Sequence, residues 1–318
     1  MRVAFLVDPL EQLGATDTSI ALMKGFQERN WSVYFFTRAH LHLKTNIPYC
    51  RCRSISFYPT SGYQVGTAIE EVKLSTFDLV MIRTEPPVDQ NYLHDLQVLR
   101  IAKRQGVFII NDPDAIIMCN EKLNVLEFPE YALPSVVSRD TTIIKQFYKE
   151  NAPVVIKPLD EFGGSGVFLV NQNDTNVDVI IDLLSQNGQK LIVAQKYEPD
   201  VKTLGDTRIF LINGEPMHPV LQRLPVDNSI RSNIVAGGRG VFNEISEFQL
   251  EICKTIKNFL LESGLLLVGI DILGKSLNEI NITCPCFPVA MAYNATRIDV
   301  LAVIVDKLIE IVVNRKAI

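Results

Sequence analysis

The 318-residue sequence predicts an α/β protein of two or three lobes. Three observations carry that prediction. Short apolar runs alternate with helix-period segments over the first 110 residues; a strand, a lysine, a glycine cluster and a second strand follow one another over 153–170; and an acidic hairpin occupies 268–281. A hydrophobic content of 47% with 21% charged residues describes an ordinary globular chain. The formal charge of -5 argues against nucleic acid as a partner. Residues 2–7 form too short an apolar run for an export signal, and no later run is long enough to span a bilayer, so a cytoplasmic, non-membrane protein is expected.

In chain order, residues 2–7 read as a buried strand, 18–29 as a helix with Asp17 as N-cap, and 33–36 as the next strand. The stretch 38–66 reads as irregular. Residues 77–82 form another apolar strand that runs into Arg83-Thr-Glu-Pro-Pro87, and strand ends of this kind hold ligands in parallel sheets. A guanidinium at Arg83 suits bidentate capture of a carboxylate or phosphate; an ion pair with Glu85 or Asp89 is the alternative. A helix over 91–104 and a strand over 107–110 close the lobe. The Gly-x-Gly-x-x-Gly fingerprint is absent after the first strand, so no dinucleotide is expected there.

Cys119-Asn-Glu-Lys122-Leu123 reads as the opening of a further helical segment. Lys157 ends the apolar strand 153–157, and Gly163, Gly164, Ser165 and Gly166 lie between it and the next strand. A lysine there needs charge compensation, and glycines leave backbone N–H groups free to surround a phosphate. A plain glycine-rich turn with a snorkelling lysine is the other reading. A helix near 177–187 leads to the strand 191–197, whose polar end at Gln195, Lys196 and Tyr197 can present backbone groups to a purine. Residues 206–212 and 215–222 flank Asn213-Gly214, a two-residue hairpin turn. That places Arg208 at a strand start, with an ion pair to Asp206 as its alternative role.

Residues 223–240 read as a mobile cationic loop able to close over charged reactants, with Arg231 and Arg239 neutralising developing phosphoryl charge, or else as an ordinary exposed loop. A helix over 247–263 feeds the hairpin 268–281, and a helix over 298–313 ends the chain. Glu279 and Asn281 share a strand face, and Asp271 can face them across the pair. Two carboxylates and an amide beside apolar neighbours suit Mg2+; a solvated hairpin is the alternative. Hydrolase and zinc-protease motifs are missing, and the pairs Cys50/Cys52 and Cys284/Cys286 lack the usual zinc spacing, so reduced thiols are expected, with a zinc site built from the two pairs as the alternative.

Taken in order, these motifs resemble bacterial-type glutathione synthetase, a family of ATP-grasp carboxylate–amine ligases, along nearly the whole chain. The resemblance rests on Asp8-Pro9, Arg83-Thr-Glu-Pro-Pro87, Cys119-Asn-Glu-Lys122-Leu123, Ile156-Lys157-Pro-Leu-Asp160 with Gly163-Gly164, and Gln195-Lys-Tyr197. It continues through Gly205-Asp206-Thr-Arg208, Arg231-Ser-Asn233 with Gly237-Gly238-Arg239-Gly240, and Val268-Gly-Ile-Asp271 with Asn278-Glu279-Ile-Asn281.

The resemblance implies an ATP-grasp fold behind a Rossmann-like N-terminal domain, with units 1–118, 119–198 and 199–318. It implies that Lys122 and Lys157 contact ATP phosphates under the glycine loop 163–166. Gln195 to Tyr197 would border adenine, with Asp206 also on the nucleotide side. Asp271, Glu279 and Asn281 would bind Mg2+, for which Mn2+ can substitute. Arg83, Arg208, Arg231, Asn233, Gly237 and Gly238 become candidates for the acidic substrate and the acyl-phosphate oxygens, with Arg239 beside them. The implied reaction joins γ-glutamylcysteine to glycine through an acyl phosphate in a homo-oligomer. A ligase for another acid or amine, or a nucleotide-binding regulator without turnover, is the alternative. One departure stands out. The family usually continues Thr-Ser-Pro-Thr-Gly-Ile-Arg-Glu after the metal-binding asparagine, where this chain has Thr283-Cys284-Pro285-Cys286-Phe287-Pro288-Val289.

Overall fold

The computed structural model describes residues 1–14, 17–58, 62–225 and 238–316. Its strands form three sheets. The first contains β1 (Arg2–Val7), β2 (Ser32–Phe36), β3 (Leu41–Lys44), β4 (Ile47–Tyr58), β5 (Gly62–Val65), β6 (Glu70–Lys73), β7 (Leu79–Arg83) and β8 (Ile109–Ile110). Strands β2, β1, β7 and β8 run parallel in that spatial order. The helix Thr18–Glu28 begins where the sequence predicts, with the Asp17 carboxylate accepting the Ser19 N–H at 2.6 Å.

The stretch 38–66 is not irregular. Most of it is strand, in β3, β4 and β5, and β4 pairs antiparallel with β2, β3, β5 and β6. Cys50 and Cys52 bury alternate side chains there while Arg51 between them is exposed. A period of two carried by cysteines and a proline is easily read as loop.

The second sheet contains β9 (Ser135–Ser138), β10 (Val154–Pro158), β11 (Phe168–Val170) and β12 (Ile192–Lys196), all antiparallel in the order β11-β10-β12-β9. Helices Thr141–Asn151 and Val177–Ser185 cover one face around a core of its own, which includes Ile144, Ile156, Ile181 and Ile192.

The third sheet contains β13 (Asp206–Ile212), β14 (Glu215–Pro216), β15 (Val220–Leu224), β16 (Arg239–Asn243), β17 (Leu267–Leu273) and β18 (Ser276–Asn281), with β16-β15-β13-β17-β18 as its path. Asn213 and Gly214 both take positive φ, 53° and 73°, as a tight hairpin of this kind requires. The stretch 223–240 predicted as loop is strand at both ends, because Arg223 and Leu224 of β15 pair with Gly240 and Arg239 of β16 through backbone groups that polarity does not reveal.

The first and third sheets share one core, in which Phe5, Phe26, Phe210 and Phe287 meet Ile304 and Leu308 of the last helix, Val300–Lys316. Gly25 permits that helix to approach: a Cβ there would lie 2.7 Å from Val305 Cγ2. Asn111, at the end of β8, is 2% exposed and ties the two sheets together. Its Nδ2 donates to the carbonyls of Leu267 and Ile282, and its Oδ1 accepts the N–H groups of Leu266 and Leu267. The N-terminal lobe is thereby locked to the β17–β18 hairpin.

Candidate active site

A cleft opens between the second and third sheets. Lys122, Lys157, Glu161 to Ser165, Gln195 to Glu198, Asp206, Asp271, Asn278 and Glu279 line it, together with the apolar wall of Leu133, Val155, Val167, Val201 and Leu273.

Lys157 stands at the end of β10 and is 5% exposed. Its Nζ donates to Gln195 Oε1 at 3.2 Å, across the pair with β12, and to Asn278 Oδ1 at 3.1 Å, from the opposite sheet. Neither acceptor carries a charge. Burial, together with the neighbouring Lys122, pushes its ammonium down to about 8 even though Glu279 opposes the shift.

Lys122 does not sit on a helix, contrary to the sequence reading. It lies between the helix Pro113–Met118 and a short 3-10 helix at Asn124–Glu127, in a turn that Asn120 closes by accepting the N–H groups of Lys122 and Leu123. Glu121, beside it, is turned inward. Its carboxylate accepts the N–H groups of Ile282 and Thr283 and the Thr283 hydroxyl, docking the turn on the end of β18. Burial raises the Glu121 carboxyl despite those three donors. Lys122 Nζ then reaches the carbonyls of Leu159 and Glu161 and lies 4.0 Å from Glu279 Oε1. Neither Glu121 nor Asn278 was among the sequence candidates; each is an ordinary polar residue until a partner from a distant segment meets it.

The acidic side is built on the β17–β18 hairpin, where Asp271 is opposite Glu279 and Gly269 opposite Asn281. Asp271 is 3% exposed and held by two guanidinium groups: Arg208 engages both of its oxygens, and Arg223 Nη2 approaches Oδ1 at 2.9 Å. Burial disfavours its charge, but the two arginines outweigh that cost and hold the carboxyl well below the usual carboxylate range. The predicted alternative pairing of Arg208 with Asp206 is therefore wrong in its partner. Arg223 takes Asp206, at 2.5 and 2.8 Å. Asn281 donates its amide nitrogen to the Gly269 carbonyl at 3.0 Å, so the nitrogen end is the one turned to the protein.

Not every candidate reaches the cleft. Gly166 packs against Pro158, where a Cβ would stand 3.1 Å from the ring. Arg83 is 1% exposed and turned away from the phosphate side. Its Nε donates to Ser19 Oγ at 3.1 Å, its Nη1 to the Pro285 carbonyl at 2.9 Å, and its Nη2 lies 3.8 Å from Cys286 Sγ. Neither of its predicted ion pairs, to Glu85 or Asp89, forms among the described residues. Arg239 is exposed at the start of β16 and, like Gly238 before it, is not on the cleft wall. Arg231, Asn233 and Gly237 lie outside the described residues.

The cleft fits a nucleoside triphosphate. Two buried lysines supply the charge, the apolar wall accepts a planar base, and Tyr197 carries a buried hydroxyl that finds no partner among the described residues. Opposite them, Glu279 and Asp271 offer hard oxygens of the kind a divalent cation takes alongside phosphate, while Asn281, its nitrogen 3.4 Å from Asp271 Oδ2, is not on the cleft wall.

Two antiparallel sheets closing on such a cleft define an ATP-grasp enzyme, and the solved structures agree. The crystal structure of a D-cycloserine synthetase superposes with a TM-score of 0.67 over 98% of this chain and 100% of that one, at 13% identity. The chain belongs to the prokaryotic glutathione synthetase family: the N-terminal domain of that family matches residues 1–116 and its ATP-grasp domain residues 121–292. Glutathione synthetase of Vibrio vulnificus is 35% identical, over 90% of both chains. That of Nitrosomonas europaea is 37% identical, again over 90% of both. The protein is thus an ATP-dependent ligase that uses a divalent metal and small-molecule substrates. Among the described residues no helix is long and apolar enough to cross a membrane.

Proposed function

We propose that this ligase joins γ-glutamylcysteine to glycine with ATP and Mg2+. The observation that carries the reading is the convergence in one cleft of Lys157 from the second sheet, Asp271 and Glu279 from the third, and Lys122 from the turn docked on β18. Phosphoryl transfer to a carboxylate needs positioning and charge neutralisation rather than an acid–base pair, and this set offers both. Lys122 and Lys157 hold phosphate oxygens, Gly163 to Ser165 cover them, and the segment from Gln195 to Tyr197 borders the base. Glu279, Asn281 and Asp271 hold the Mg2+, which neutralises phosphate charge when bound. Arg208 sits behind Asp271 as a positioning group, and Arg231, Asn233 and Gly237, outside the described residues, are the candidates for the acidic substrate. The units 1–118, 119–198 and 199–318 act as the N-terminal α/β domain, the lid, and the metal- and substrate-binding base of a cytoplasmic homo-oligomer.

The test is ADP release from ATP and Mg2+ with both substrates present and with each omitted in turn, the product being weighed by mass spectrometry. Release that needs both substrates, with glutathione formed, supports the reading. Release with glycine and no γ-glutamylcysteine, or a product of another mass, overturns it.

A pH dependence follows from Lys157. In the free protein its ammonium titrates near 8, and a triphosphate beside it raises that value, so binding takes up a proton once the pH passes about 8. ATP affinity is expected to be flat below that pH and to fall above it, by up to about tenfold per unit. Calorimetry at pH 8.5 in buffers of different ionisation enthalpy reads the uptake directly. Identical heats in all buffers would exclude Lys157 as the linked group.

A further inference from the structure

Behind the cleft, the segment that departs from the family pattern makes a second cluster of chemistry. Cys284, 8% exposed, and the half-buried Cys286 lie beside the half-buried Glu85, and one ligand atom from each falls within 4.8 Å of the others. Cys286 Sγ is 3.5 Å from Glu85 Oε1. Glu85 comes from the loop after β7, 201 positions earlier in the chain, with its N–H anchored on Asp8 Oδ2 at 2.9 Å. Spacing along the sequence therefore gave no sign of the trio. The arrangement is braced on every side: the Cys284 thiol points at the Arg83 carbonyl, Arg83 Nη1 holds the Pro285 carbonyl, and Phe287 exchanges two hydrogen bonds with Thr18.

We infer that Cys284, Cys286 and Glu85 form a binding site for a borderline-soft divalent ion of the Zn2+ type, separate from the Mg2+ set on β17 and β18. The geometry suits it. Around tetrahedral zinc, with Zn–S near 2.3 Å and Zn–O near 2.0 Å, neighbouring ligand atoms stand about 3.5–3.8 Å apart. The Cys286–Glu85 distance already matches, and the remaining donors need to move by no more than about an ångström. Three protein ligands leave a fourth position for water or a solute, as in open zinc sites. The charge closes as well. Two thiolates and a carboxylate outweigh a divalent ion by one negative charge, and the buried Arg83 guanidinium, 3.8 Å from Cys286 Sγ, offsets it. Thiolates also set the selectivity, since Mg2+ takes oxygen ligands and has little affinity for sulfur.

The other candidates are poorer. Cys50 and Cys52 are fully buried with no third ligand among the described residues. The groove at Phe108, Arg315 and Lys316 has Lys316 already engaged by Asp78. The trio at 85, 284 and 286 is the one group among the described residues that brings three histidine, cysteine or acidic ligands together. It also adjoins the active cleft, because the Cys286 carbonyl accepts Arg208 Nη1 at 3.3 Å.

The experiment is a Co2+ titration of the chelator-treated full-length protein, in the presence of excess Mg2+. The expected result is one equivalent bound, with thiolate-to-cobalt charge-transfer absorption and tetrahedral ligand-field bands that Zn2+ bleaches. The Cys284→Ser/Cys286→Ser double variant should lose the charge-transfer band, whereas Glu85→Gln should keep it with affinity lowered about tenfold or more. Circular dichroism shows whether the double variant folds; if it does not, Glu85→Gln decides. Co2+ bound without a charge-transfer band, a band that survives in a folded double variant, or unchanged affinity in Glu85→Gln would each overturn the assignment. Displacement of Co2+ by Mg2+ would do the same, by moving the ion to the oxygen site. None of these readouts depends on which acid or amine the enzyme joins.

Discussion

Replacing Lys157 with methionine is expected to lower kcat/KM for ATP by about 10²–10³-fold, the usual loss when one preorganised charge donor leaves a phosphoryl-transfer site. Fold stability should not suffer. Lys157 is buried against two neutral amide oxygens and its ammonium is held down to about 8, so an apolar side chain of similar length relieves a desolvation cost. Steady-state kinetics and thermal melting on the same preparation separate the two effects. A fall in kcat as well as in kcat/KM marks an interaction made in the transition state; a rise in KM alone confines Lys157 to ground-state binding. Wild-type kcat/KM would remove it from the phosphate site altogether.

Asp271→Asn is expected to destabilise the ligand-free protein by about 3–5 kcal/mol, because it leaves Arg208 and Arg223 facing each other without their shared counter-charge. Asp206 still neutralises part of Arg223, which favours the lower end of that range. The contribution also has a pH signature. The Asp271 carboxyl lies below its unfolded value, so the stabilisation is fully present above the ordinary carboxylate range and is lost as the pH falls through the folded pKa. Urea midpoints across that range check it. Glu279→Gln is the matched control: its side chain is 24% exposed and meets Lys122 only at 4.0 Å. It should depress turnover while leaving the midpoint near wild type. Equal midpoints for Asp271→Asn and wild type would show that the two arginines find other partners.

The elements with strong local periodicity were legible in the chain. Strand β1, the Asp17-capped helix, the hairpin turning at Asn213-Gly214 and the acidic β17–β18 hairpin follow from side-chain alternation, capping chemistry and residues that tolerate positive φ, all of which act over a few positions. So does the placing of Lys157 at a strand end before glycines.

What the sequence by itself determined is this inventory: which residues carry charge, sulfur or glycine, and which strand or turn presents them. Tertiary structure alone decided the partners. Lys157 met Asn278 across 121 positions, Glu121 docked under Thr283, Arg208 took Asp271 rather than Asp206, and Cys286 came to lie beside Glu85. The physical reason is that backbone propensity is local, whereas the pairing of buried charges is settled by the desolvation each would suffer alone. That cost is set by which segments the packed core brings together.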